Sequence, residues 1–189
     1  MDTSPTERGA VERLREMEFL GAEFLTWLWW RCEAGGGLFS IPSVGDVFIQ
    51  FVKLVRLESG TQSNREMVQC LGRAAQEMKE AKTGLLLGKK VARARLVIKT
   101  ETITMEVTIS SKALDFHGLK IVSGFDDTLE EVTAIEGARG LVLLKLNALK
   151  EARLIIHSIF DQFVSKRLDA AVWAREKKGV REWILSLST

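Results

Sequence analysis

The chain is poor in the residues that most often carry chemistry. Its two cysteines, Cys32 and Cys70, lie far apart and neither has a cysteine neighbour. Isolated thiols of this kind make neither a disulfide framework nor a zinc site. There are two histidines, His117 and His157, and neither has a Ser, Cys or Asp partner at motif spacing. A nucleophilic triad is therefore not legible, and only the fold could assemble one. Long apolar runs are missing too. The most apolar short segment, Phe24-Leu25-Thr26-Trp27-Leu28-Trp29-Trp30, is far below the ~20 residues of a membrane span. No charged start leads into a short apolar run and a small-residue cleavage site, so no signal peptide is expected and the cytoplasm is the expected compartment.

What is present is an apolar fraction of 46% in 189 residues, enough for a buried core and too much for a disordered chain. The length suits one domain, or one domain with an appendage. Net charge is only +2, but its distribution is uneven. Residues 65–99 carry nine basic and three acidic side chains, and residues 100–137 carry two basic and eight acidic. Residues 138–189 are basic again, with ten cations against five anions. Such blocks point to a surface with a positive and a negative face.

Met1 to Arg8 is polar and Pro-punctuated, and residues 1–17 are expected to form a flexible N-terminal tail. Glu18 to Glu33 reads as a helix that is apolar nearly all round, so it is either buried in the fold or docked on a partner. Gly35-Gly36-Gly37 ends it. Val44 to Leu57 reads as one strand or two short ones. Glu66 to Leu71 is ambiguous. Ala74 to Leu87 reads as a helix closed by Gly88. Then comes the clearest signal. Ala92, Ala94, Leu96 and Ile98 alternate with Arg93, Arg95 and Lys99, and Ile103, Met105, Val107 and Ile109 alternate with polar residues. Two period-two segments in succession make a β-hairpin with one buried and one wet face. Leu119 to Val122 reads as a short extended piece. Leu129 to Leu168 is helical in pattern, with a break or kink expected at Gly137 and Gly140. A last amphipathic stretch follows Lys177-Lys178-Gly179. The expectation is an α+β fold with an antiparallel sheet packed on helices. Residues 18–125 would be its α+β domain and residues 126–189 its helical C-terminal part.

Three constellations could carry chemistry. Gly84 and Gly88-Lys89-Lys90 fall short of a phosphate loop: the glycines are one residue too close, Lys90 stands where Ser or Thr is required, and the glycine ends a helix instead of opening one. Asp126-Asp127 and Glu130-Glu131 sit where a helix would begin, which favours capping over the alternative of a metal-dependent nuclease. Lys89, Lys90, Arg93, Arg95 and Lys99 cluster at a helix end and along one strand face, and Lys150, Arg153 and His157 share a polar helix face. The hairpin cations are either an ordinary solvated face or a site that neutralises phosphate.

At these residues the sequence resembles the recombination-associated RdgC family. The resemblance rests on a helix running into Gly88-Lys89-Lys90-Val91, the strand Ala94-Arg95-Leu96-Val97-Ile98, the strand Ile103 to Ile109, and Leu114-Asp115-Phe116 with Gly118-Leu119-Lys120-Ile121. Upstream, Phe19-Leu20-Gly21-Ala22-Glu23-Phe24-Leu25-Thr26-Trp27-Leu28-Trp29 is similar to a stretch in divergent members. Downstream, Leu141 to Phe163 fits the C-terminal helix. The match runs from about Glu18 to Phe163 and corresponds to the C-terminal part of a family member. It implies a non-enzymatic, nucleoid-associated bacterial or phage protein that binds double-stranded DNA without reading its sequence and acts in recombination. It also implies a homodimer. The residues expected at the DNA are Lys89, Lys90, Arg93, Arg95, Lys99, Lys150 and Arg153. No cofactor, metal, membrane or small-molecule substrate is expected.

Overall fold

A computed structural model describes residues 5–59, 66–71, 79–123 and 134–187, with the side chains of the first helix described from Leu20 onward. The elements are α1 (Pro5–Ala34), β1 (Leu38–Ile41), β2 (Gly45–Ser59), β3 (Glu66–Leu71), α2 (Lys79–Leu86), β4 (Lys90–Lys99), β5 (Thr104–Ser110), β6 (Phe116–Ser123), α3 (Ala134–Leu168) and α4 (Ala170–Ser186). All strand pairs are antiparallel. They form one six-stranded sheet in the order β1-β2-β4-β5-β6, with β3 beside the far end of β2. The architecture is α+β, with helices packed on the sheet and a helical C-terminal part.

Alternation decides which face is buried. Val47, Ile49, Phe51, Val55 and Leu57 of β2 point inward with Leu96 and Ile98 of β4 and Met105, Val107 and Ile109 of β5. Against this face lies α1. Its Trp29 ring stacks on Phe51 at 5.5 Å and 17°. The opposite side of α1 is covered by the C-terminal helices, with Phe24 edge-on to Phe160 at 5.2 Å and Trp27 against Phe163 at 5.4 Å. Trp27 donates Nε1–H to Glu176 of α4 at 2.7 Å, and Trp183 of α4 donates to Glu33 at 2.9 Å. The all-round apolar character of this helix is thus used up inside the chain. Among the described residues of α1, sheet and helices together bury Phe24, Trp27, Leu28 and Trp29, and Trp30 is partly buried.

Several elements differ from the sequence reading. The first helix begins at Pro5, so the stretch expected as a tail is helical from there to Glu18. Proline suits the first helical position because its missing N–H would have no intrahelical partner there. The short strand β1 pairs Leu38 with Phe48 and Ile41 with Gly45. Strand β2 is one element of 15 residues, interrupted where Val52, Lys53 and Leu54 bulge opposite Arg95, with Lys53 at φ 57. A second irregularity makes Ala92 the odd residue opposite the Arg56–Leu57 step. Val91 therefore takes the buried place expected for Ala92. Helix α3 runs unbroken through Gly137 and Gly140. A lone glycine costs a helix up to ~1 kcal/mol but, unlike proline, leaves its hydrogen-bond ladder intact. Gly179 lies within α4, which starts at the N-cap Asp169. A Cβ there would stand 2.6 Å from the Trp30 ring, so glycine allows α4 to approach α1. Among the described residues, no helix is long and apolar enough to cross a membrane.

Candidate nucleic-acid interface

The helices described all pack on one side of the sheet, and the outward rows of the strands form the other. On β4 that row is Arg93, Arg95, Val97 and Lys99, all less buried than the inward residues between them. On β2, Arg56 stands directly opposite Arg93, Gln50 opposite Val97 and Phe48 opposite Lys99. On β5, Ser110, Thr108, Glu106 and Thr104 face Arg93, Arg95, Val97 and Lys99 in turn. On β6, His117 and Lys120 continue the rows from Thr108 and Glu106. The face therefore combines several cations with hydroxyls and few carboxylates, but it is not wet throughout as the hairpin pattern predicts: Thr108 and Glu106 in the middle of β5 are buried, each 7% exposed.

The register sets arginine against arginine. Like charges directly opposite across neighbouring strands are unfavourable. Glu58 relieves one of them through an ion pair with Arg56 at 2.6 Å. Arg95 pairs with Glu106 at 2.9 Å, and Lys53, turned outward by the β2 bulge, reaches across β4 to the same carboxylate at 2.6 Å. The hydrogen bond from Lys53, aided by the charges of Lys53, Arg95 and Lys120 against the cost of burial, holds the Glu106 carboxyl below its ordinary 4.5. The Nε atoms of Arg56, Arg93 and Arg95 are covered and have no hydrogen-bond partner among the described residues. Within those residues Arg93 and Lys99 carry no ion pair.

Of the seven residues expected at the DNA, the sheet gathers Arg93, Arg95 and Lys99 on this face. Lys89 is not there: it is 5% exposed, and its Nζ donates to Glu66 of β3 at 2.6 Å. Lys90 is half-buried, and burial, opposed by Glu23 and reinforced by Arg167 and Lys177, lowers its pKa. Those neighbours belong to α1, α3 and α4, while in the strand register Lys90 stands opposite Glu58. Lys150 and Arg153 are exposed on α3 and also stand apart from the open face. Lys150 lines a groove of about 410 Å³ with Ser43, Val44, Thr100, Thr102 and Leu154. Arg56, Lys53 and Lys120 were missed. Arg56 was findable, since Val55 and Leu57 flank it in an apolar–polar alternation. The pairing with Arg93 and the bulge that turns Lys53 outward are properties of register.

A Cβ on Gly84 would meet Leu57 at 2.6 Å, so this glycine seats α2 on β2, and the Gly88-Lys89 pair follows a helix C-terminus. His117 is exposed on β6 and His157 is exposed on α3. No cluster of three or more metal-ligating side chains exists among the described residues. Asp126, Asp127, Glu130 and Glu131 lie outside those residues. Compared with known protein families, curated proteins and solved structures, the chain finds no match in any of the three.

Proposed function

We propose that the open sheet face binds duplex DNA through its phosphates, independently of base sequence and without a chemical step. One observation carries the reading. Arg56 and Arg93 face each other across β2 and β4, with Arg95 and Lys99 continuing along β4, on a face that no described helix covers. An anion between two opposed guanidinium groups turns an unfavourable pair into a favourable one, and guanidinium matches phosphate oxygens in a two-pronged geometry. Such contacts position a protein on DNA but carry no sequence information. Base edges are read by an element that enters a groove, and the cations here lie along flat strand rows. Thr104 and Ser110 add partly exposed hydroxyls beside Lys99 and Arg93. The resemblance of the hairpin to the RdgC family supports the same reading and the placement in recombination.

Two duplexes of equal length and unrelated sequence, titrated with the protein at the same salt, provide the test of readout. Equal affinities within about two-fold are expected, because phosphate neutralisation supplies the binding. A preference of about 10³-fold, the scale of true sequence readers, would overturn the claim of sequence independence.

A further inference from the structure

We infer that the outer face of α3, between Arg139 and His157, docks an acidic amphipathic helix of another protein. This surface is separate from the open sheet face and does not rest on the DNA reading. Among the described residues of α3, the buried positions begin at Ala148 and continue through Ala152, Ile155, Ile159 and Phe163. Before that, from Arg139 to Asn147, none of its residues is buried. Yet this stretch is apolar: Val142 is 57% exposed, Leu143 61% and Leu146 47%, and Leu154 further on is 44% exposed. A helix segment none of whose described residues is buried gains little stability from its own propensity. A contiguous exposed apolar patch marks an interaction site.

The spacing is that of a receptor helix. Leu143, Leu146, Lys150 and Leu154 recur at three and four residues, so they share one face. Towards the body of the protein the face opens into the groove of about 410 Å³ between α3 and the β4–β5 turn, where Leu154 and Val44 supply apolar lining. A partner helix would lay anchors at i, i+3, i+4 and i+7 along this face.

Charge selects the partner. Arg139, Lys150 and Arg153 lie on or beside this stripe at helical spacing, against Glu151 on the same stretch and Glu101 across the groove, whereas Lys145, two residues from Leu143, points away from it. Carboxylates flanking the partner's anchors would meet these cations, which favours the correct partner and speeds encounter. A second copy of α3 would bring cation against cation. Nucleic acid would satisfy the cations but leave the leucines in contact with phosphate and water.

The test uses the full chain and two synthetic helical peptides of roughly 18 residues, long enough to span the stripe at 1.5 Å per residue. Both carry leucine at i, i+3, i+4 and i+7; one has glutamate at the flanking positions and the other lysine. In fluorescence anisotropy at ~100 mM salt, where surface charges still act over ~10 Å, the glutamate peptide should bind at least about ten-fold more tightly. Leu143→Glu with Leu146→Glu should abolish that binding while circular dichroism and thermal unfolding remain those of the parent. Lys150→Glu with Arg153→Glu should reverse the peptide preference. Failure of the glutamate peptide to bind, or equal binding of the two, overturns the inference. So does dimerisation in light scattering that the leucine variant abolishes, because the occupant would then be a second copy. Loss of duplex binding in the Lys150/Arg153 variant would make the stripe a nucleic-acid surface and overturn it as well. If instead the sheet face binds no DNA but the peptide preference holds, the docking surface stands and the DNA proposal alone fails.

Discussion

Glu106 divides its two oxygens between Lys53 and Arg95 and is only 7% exposed in the middle of the open face. It acts there as an internal counter-ion, occupying two cations that phosphate would otherwise meet. Glu106→Gln should therefore tighten duplex binding and steepen its salt dependence by up to about one contact, since each added phosphate contact contributes about −0.9 to the slope. The same substitution has a consequence for acid stability. The folded-state pKa of Glu106 is lowered, chiefly by the Lys53 hydrogen bond. Its stabilising contribution is thus present above the ordinary value of 4.5 and is lost as pH falls through the folded value. Thermal unfolding followed between pH 7 and pH 3 should show a smaller drop in Tm for Glu106→Gln than for the parent; identical acid limbs would mean that this carboxylate is not held as described. On the buried side of the same sheet, Leu96 is fully enclosed between α1 and its strand neighbours. Leu96→Ala should cost ~2–5 kcal/mol by opening a cavity, read by denaturant unfolding. Arg93→Gln with Arg95→Gln should cost far less, because partly exposed ion pairs contribute ~0–1 kcal/mol.

At the scale of elements, two helix glycines with the same letter have opposite roles. A Cβ on Gly21 would overlap the Ser111 carbonyl, part of the backbone between β5 and β6, whereas a Cβ on Gly140 would meet nothing within 4 Å. Gly21→Ala should destabilise the fold by about 1–3 kcal/mol through forced overpacking. Gly140→Ala should stabilise it by about 0.5–1 kcal/mol through helix propensity. Equal effects in urea unfolding would contradict the packing of α1 on that connection. The contrast also marks what can be read from a chain. The β4–β5 hairpin was legible because its alternation is local, and α1 because its apolar character excludes an exposed surface helix. The break or kink expected at Gly137 and Gly140 is not a break, because a sequence names the residue and not what surrounds the helix that carries it. The bulge at Lys53 was invisible for a related reason: it is fixed by how β2 meets β4, some forty residues later in the chain. The face of Arg93, Arg95 and Lys99 could be read from one strand, but their meeting with Arg56 and the diversion of Lys89 to Glu66 depend on which strands become neighbours.

The whole molecule is a sheet with two unlike sides. One carries the core and all the described helices; the other carries opposed arginines at the register Arg56↔Arg93. Stability should come from the first side and anion binding from the second, so the two properties should separate under substitution. Binding of a labelled duplex over a series of salt concentrations tests this most directly, with the parent chain beside Arg56→Gln, Arg93→Gln, Arg95→Gln combined. For the parent the account predicts a slope of log affinity against log salt of roughly −3 to −5, and for the triple variant weaker binding with a slope shallower by about two to three, at nearly unchanged Tm. No duplex binding at ~50 mM salt, or a well-folded triple variant with the parent's affinity and slope, would contradict it.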